Sequence, residues 1–392
     1  MEPLHGRIRD YAWGSRTVLA RLQSRPVPSD GPEAELWLGA HPGDPSTLER
    51  DGAPRNLVDA FAEDPGRWLG ADVVDRFGQR LPFLLKVLAP EAPLSLQAHP
   101  DAEQARAGYA AETTDPELTH RNYVDPYHKP EMLVAVSPFR ALCGFRDPKH
   151  SADLLDAFGV PALAPVVAAL RGGVDGLPAA VRTLLTWPSS ERAGLVAAVL
   201  AAEVGEQFAG SVELARDLAG RYPADPGVLV ALLLNHVSLA PGEAIWMPAG
   251  NLHAYLHGAG VEILAASDNV LRGGLTPKHV DVRELLRVLR FEVLADPVVS
   301  PVAVGPGVVT WPVPVDDFAL HRVRLDGGVR SARLDLRGPR IALCLAGEVT
   351  VADGAGSTLL GQGSAAIGRA DGGPVTVTGE GDLYLASVGA PR

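Results

Sequence analysis

Between Asp147 and about Val237 this chain of 392 residues changes texture, and that change limits what it can fold into. On the N-terminal side, short apolar runs such as "AELWLGAHPGDPS", "LPFLLKVLAP", "PLSLQAHPD" and "PEMLVAVSPF" alternate with Gly and Pro turns, the punctuation of strands. In the block itself, "ADLLDAFG", "VPALAPVVAALRGG" and "AAVRTLLTWPSSERAGLVAAVLAAEV" set Ala and Leu at three- and four-residue spacing, the period of helices. Strand texture returns over 240–270. A helix is expected over 282–294, with Val282, Leu285, Leu286 and Leu289 as its apolar stripe and Asp281 with Glu284 spaced as a capping box. From about residue 297 onward, Val and Gly with regular turns read as a small antiparallel barrel or sandwich. The chain is therefore expected to be mainly β with a helical insert. Residues 1–146 and 238–296 form one β domain, 147–237 the insert and 297–392 a second β domain.

Apolar residues make up 46% and charged residues 21%, enough for a substantial core. The net charge is -12 and no stretch concentrates Lys and Arg, which argues against a nucleic-acid partner while leaving a small anionic substrate open. Cys143 and Cys344 are the only cysteines, so neither a disulfide scaffold nor a thiolate metal cluster is expected, and a reducing cytoplasm suits the chain. The opening "MEPLHGRIRDYAWG" has no apolar core of the signal-peptide kind, and runs such as "GLVAAVLAA" are too short to span a bilayer. No membrane partner is expected.

Chemistry gathers in four segments: "SLQAHPD" (95–101), "DPYHKPEMLV" (125–134), "WMPAGNLHAYL" (246–256) and "VEILAASDNVLRGGLTPKHVDV" (261–282). If 94–99 is extended, Ser95, Gln97 and His99 face one way and Leu94, Leu96 and Ala98 the other. Together the segments offer Gln97, His99, Glu131 and His253 as donors. Two imidazoles and a carboxylate suit zinc or iron(II), and an amide oxygen is a weak fourth ligand. Each piece alone also fits an ordinary strand face, a hydrogen-bonded core histidine or a salt bridge.

In this set of blocks the chain resembles the type I mannose-6-phosphate isomerases (phosphomannose isomerases), zinc enzymes of the cupin class. The match is collinear through "YAWGS", "AELWLGAHPGDPS", "LPFLLKVL", "PLSLQAHPD", "HKPEM", "PAGNLHAYL" and "SDNVLRGGLTPKHVDV", whereas 147–237 and 297–392 match mainly in texture. The resemblance implies a cupin-type barrel or jelly roll for the first β domain and a cupin-like second one. It implies one zinc per chain on Gln97, His99, Glu131 and His253. The family's active-site arginine falls on Arg272, in "RGG" where the family has "RAG", and Gly273 and Gly274 would let the backbone turn sharply and approach a ligand.

The activity that the resemblance implies is aldose–ketose isomerisation of mannose 6-phosphate to fructose 6-phosphate through a cis-enediol(ate). The base is expected to be Lys129, with His128 and Glu262 as the alternatives, and Asp268 is expected to assist ring opening. Arg272 would meet phosphate or enediolate with two hydrogen bonds. Ser95, Lys86, Lys278 and Tyr255 are the expected substrate-binding groups. Two rivals remain: another metal-dependent cupin enzyme, such as an iron(II) oxygenase, and a non-catalytic sugar-binding cupin. The first leaves Gln97 without a role, and the second does not need the metal set, Lys129 and Arg272 together. A monomer fits the sequence as well as any oligomer.

Overall fold

The computed structural model describes residues 1–50 and 52–391, and its strands pair antiparallel. One sheet has seven strands in the order Val298–Val299, Ala244–Met247, Glu131–Ala135, Gly260–Ala265, Phe83–Leu88, Glu35–Leu38 and Arg7–Arg9. A second has five: Leu234–Leu239, Phe139–Phe145, His253–His257, Gln97–Ala98 and Leu271–Arg272. They face each other across a core that includes Leu88, Leu133, Phe139, Ile245, Met247 and Tyr255.

Both outer faces are covered as well. Leu96, Ala98, Leu142, Ala254, Leu256 and Leu271 of the five-stranded sheet pack against the helices of the insert, from Pro148–Ala157 to Gly227–Ala231. On the other side Leu85, Val87, Met132, Val134 and Ile263 pack against Trp311, Phe318, Ile341, Leu343 and Tyr384. Ile341, Leu343 and Tyr384 belong to a nine-stranded sheet built around the long strands Arg340–Asp353 and Val375–Ser387, and Trp311 and Phe318 flank its strands Val308–Thr310 and Ala319–Leu325. Burial on both faces explains why "FLLKVL" and "EMLVA" read as continuous apolar runs around single charges. Glu2–Leu4 pairs with the C-terminal strand Ala365–Gly368, and Val298–Val299 with Ala244–Met247, so sheet membership crosses the chain order at both ends.

Three expectations need correction. Among the described residues no sheet closes into a barrel: the five-stranded sheet ends at Leu271–Arg272, where Gly274 at φ +116° turns the chain away. The helix expected over 282–294 spans only Val282–Val288. Beyond it the Arg290 N–H donates to the Gly250 carbonyl and the Leu294 N–H to that of Phe145, so strand-like bonds claim the tail. Asp281 does cap Glu284 N–H at 3.0 Å, but the Glu284 carboxylate accepts from the Tyr123 hydroxyl instead of returning to the cap. Third, the N-terminal part is not all strand. The helix Ala102–Thr113 starts at "DAEQ" with a complete capping box between Asp101 and Gln104, a start signal visible in the residues themselves. No helix among the described residues is long and apolar enough to cross a membrane.

Candidate active site

The site begins with register. Gln97 lies opposite His253 on one side and Arg272 on the other. Directly opposed residues of an antiparallel pair share a face, so these three stand in one row on the inner side of the five-stranded sheet. Leu96 and Ala98, one position out of phase, are buried against the insert. The alternation over 94–99 thus holds although the regular strand is only Gln97–Ala98. Leu94 and Leu96 extend it through N–H bonds to the Tyr255 and Gly274 carbonyls.

Glu131 arrives from the facing sheet. His99 Nε2 is 3.4 Å from Glu131 Oε1, and His253 Nε2 is 3.2 Å from Oε2. One ligand atom from each of the three lies within 4.8 Å of the others. Behind the rings, His99 Nδ1 donates to the Asn269 carbonyl at 2.6 Å and His253 Nδ1 to that of Asn251 at 3.1 Å. A carbonyl only accepts, so each Nδ1 carries the proton and each Nε2 presents a lone pair. Both Nε2 atoms are buried without a hydrogen-bond partner. Two orphaned lone pairs converging on a carboxylate are costly by themselves and well matched to a cation.

The electrostatics agree. Burial pushes His99 down to about 4 against the pull of Glu131. For Glu131, burial works upward, but Lys129, with Nζ 3.1 Å from Oε1, and the neighbouring imidazoles hold it well below the usual carboxylate range.

A second polar group adjoins this set on the seven-stranded sheet. Lys86 is opposite both Glu262 and Trp37 in the register. Its Nζ is 3.4 Å from Glu262 Oε2 and 3.7 Å from Glu35 Oε2. The Tyr255 hydroxyl donates to Glu262 at 2.7 Å, and the Trp37 indole N–H to Glu35 at 2.5 Å. Burial pushes the Glu262 carboxyl up to about 7, although Lys86 opposes it. Burial alone would lower Lys86, but Glu35, Glu262 and Glu131 reverse the sign and raise it.

These groups open onto a cavity of about 690 Å³. Gln97, Glu131, Lys129, Glu262 and Asp268 line it, as do Arg272, Ser95, Lys86, Lys278 and Tyr255. His99 and His253 do not line it; they sit buried behind Glu131, which does, with their Nε2 atoms 3.4 and 3.2 Å from its carboxylate. His128 is not brought in. Its Nε2 lies 2.9 Å from the buried Asp317 carboxylate, because successive side chains of an extended segment point opposite ways and Lys129 takes the inward one.

Arg272 is half-buried, its pKa lowered by burial, and among the described residues no carboxylate pairs with it. The close approach made by its glycines is to protein, not ligand. A Cβ on Gly274 would meet the Gly227 backbone of the insert at 2.6 Å.

Sequence reasoning misses several contributors. Tyr11, Trp13, Glu35 and Trp37 line the cavity from blocks that carry no site residue in the sequence reading, although alternation in "ELWL" puts Glu35 and Trp37 on one face. Arg221 and Tyr222 join them from the end of the insert helix Ala209–Arg221, where nothing in the sequence points to a site. Asn269 is fully buried. Its side chain accepts from Val124 N–H at 2.8 Å and donates to the Asp125 and Tyr127 carbonyls at 2.8 and 2.9 Å, while its own carbonyl holds His99. The "SDN" and "DPY" blocks are thus one hydrogen-bonded support for His99.

Residues 1–148 match the family model described as phosphomannose isomerase type I, catalytic domain. The chain is 37% identical over 395 residues to the mannose-6-phosphate isomerase of Escherichia coli (strain K12), covering 98% of each. It is 34% identical to that of Bos taurus, covering 89% of this chain and 88% of the relative. Its structure is similar, at a TM-score of 0.90 and 35% identity over 100% of both chains, to the crystal structure of a mutant phosphomannose isomerase from Salmonella typhimurium.

Proposed function

The chain belongs to the type I phosphomannose isomerase family, and on that premise we propose that it interconverts mannose 6-phosphate and fructose 6-phosphate with zinc in the His99, Glu131 and His253 set and Gln97 as the fourth ligand. The observation that carries this reading is the convergence of two orphaned imidazole nitrogens on Glu131, in the wall of a cavity that Lys129 and the unpaired Arg272 also line. Zinc bound there supplies Lewis acidity toward the negative charge that develops on the sugar oxygens.

The protein's own groups do the rest. Arg272, Lys278 and Ser95 hold the phosphate and the nearby oxygens. Asp268, whose carboxylate stands at the rim, takes the anomeric hydroxyl proton as the bond from C1 to the ring oxygen breaks, and gives that proton to the departing ring oxygen, so that the ring opens. Lys129 Nζ then removes the C2 proton, leaving a cis-enediol(ate), and returns it at C1, while the O2 hydroxyl proton passes to O1. Buried Glu262, Lys86 and Tyr255 fix the polarity of the wall beside the reacting carbons. We read residues 1–146 and 238–296 as a catalytic domain of cupin type, 147–237 as its helical insert and 297–392 as a second cupin-like domain. The strand-borne His253 and the Gln97–His99 pair, both aimed between two sheets, support that assignment. Both cysteines are buried and free, which fits action in the cytoplasm.

The test is bound metal and turnover on the same sample. Protein purified without added metal should carry about one zinc per chain, lose mannose 6-phosphate isomerisation on chelation and regain it with zinc. Full turnover by verified metal-free protein sinks the reading.

A further inference from the structure

His41 lies outside every role assigned above, yet it touches the site. Its ring is buried, 8% exposed, and meets the Trp37 indole edge-on at 4.8 Å. Nδ1 accepts the Gly43 N–H at 3.1 Å, so in the neutral ring the proton sits on Nε2. That Nε2 is 3.1 Å from Asp268 Oδ2. Asp268 is also held through its backbone, whose N–H donates to Asp125 Oδ2 at 2.8 Å. Its side chain lines the cavity and is 54% exposed, which leaves part of the carboxylate to a ligand. A carboxylate at a rim turns freely about its last torsion unless something fixes it, and proton transfer to a sugar hydroxyl needs a fixed aim.

We propose that His41 is a positioning residue, donating from Nε2 to set the Asp268 carboxylate for the proton transfer that opens the sugar ring. The proposal rests on the reading of Asp268 as the ring-opening group. His41 is itself locked on three sides by Trp37, the Gly43 N–H and Asp268, so it transmits the rigidity of the strand Glu35–Leu38 to a group that stands between strands. It does not relay a proton onward, since protonating Nδ1 would forfeit the bond from Gly43.

The experiment measures ring opening directly, as enzyme-catalysed exchange between the anomers of mannose 6-phosphate by NMR, alongside isomerisation kcat and KM in the zinc-loaded enzyme. The variants are His41→Phe, which keeps an aromatic ring against Trp37, His41→Gln, whose amide N–H reaches toward the Nε2 position, Asp268→Asn, and Asp268→Asn combined with His41→Phe. Anomer exchange should fall about tenfold to a hundredfold in His41→Phe, with kcat following and KM little changed. His41→Gln should restore most of that loss. In the Asp268→Asn background, His41→Phe should cost nothing more, because its route to the substrate is gone. Unchanged exchange in His41→Phe, a Gln variant no better than Phe, or an equal further loss in the Asp268→Asn background each overturns the positioning role. Wild-type exchange in Asp268→Asn alone overturns the ring-opening reading, and the positioning role with it. Thermal unfolding of each variant separates loss of folded protein from loss of function.

Discussion

Between the seven- and five-stranded sheets lie Glu35, Lys86, His99, Glu131, His253 and Glu262, all buried, whereas the inner face of the nine-stranded sheet is filled by Val323, Leu325, Ala342, Val349, Val351, Leu383 and Leu385. Where the second assembly buries a charge, it answers it locally: Arg340 meets Asp353 at 3.2 Å and donates to the Gly373 carbonyl at 2.6 Å. The first assembly leaves its charges unbalanced, with Glu35, Glu131 and Glu262 set against Lys86 and Lys129 and two imidazole lone pairs unanswered. Both are antiparallel, and both have apolar packing enough to stand. What distinguishes them is that the second interior is mostly apolar, with Arg340 Nε and His321 Nδ1 as scattered unbonded atoms, whereas in the first, two unbonded imidazole nitrogens converge on one carboxylate beside further buried charges.

The sharpest way to break that contrast is to neutralise the polar interior at Lys129, the proposed base. Lys129→Met should lower exchange of the substrate C2 proton with solvent by about 10²- to 10⁴-fold, roughly 3–5 kcal/mol, while zinc content holds. Near-wild-type exchange would mean that Lys129 is not the base. The apolar interior should fail in the opposite manner. Leu383→Ala, in a fully buried position, should cost about 2–5 kcal/mol in urea unfolding and leave kcat of the folded fraction unchanged.

A third measurement uses pH. Glu262 titrates at about 7 in the folded chain against 4.5 for an ordinary glutamate, so across that interval the folded state holds the extra proton. The stability this gives is present below the lower value and lost as pH rises through the higher one. His99 and Glu131, both depressed, act with the opposite sign, so the quantity to follow is a difference. The unfolding free energy of metal-free wild type minus that of Glu262→Gln should shrink from about pH 5 to about pH 8 by something on the order of 1–3 kcal/mol. A flat difference would place Glu262 among the ordinary carboxylates. The smallest effect is expected at the edge of the site: Arg272→Lys keeps the charge but loses the fork, and should lower turnover about tenfold, roughly 1.4 kcal/mol, with little change in Tm. An early-melting variant of normal specific activity would make Arg272 structural.

Much of this is legible in the residues. Period-two alternation places Gln97 and His99 on one face, and the helical block announces itself by its Ala and Leu spacing. Strand and helix ends are harder. Helix length over 282–294 depends on which carbonyls claim Arg290 and Leu294, a tertiary matter that local periodicity does not contain. His128 and Lys129 are neighbours of similar chemistry, and only the partner Asp317, some 190 residues further along, decides which of them turns inward. His41 and Arg221 have no pattern to betray them, because each is a single polar residue whose meaning comes from what the fold sets opposite it.

The covering of both outer faces has one more consequence, for motion. Amides of Glu131–Ala135 and Gly260–Ala265, on strands inside a sheet covered on both faces, should exchange with solvent only through the rarest openings of the molecule. Glu131 and Glu262 ride on those strands. Arg272 stands on a two-residue edge strand, where opening takes less energy. One pocket therefore joins two clocks: a slow wall that keeps its charges in place from one turnover to the next, and a fast lip that admits a sugar phosphate and lets it go.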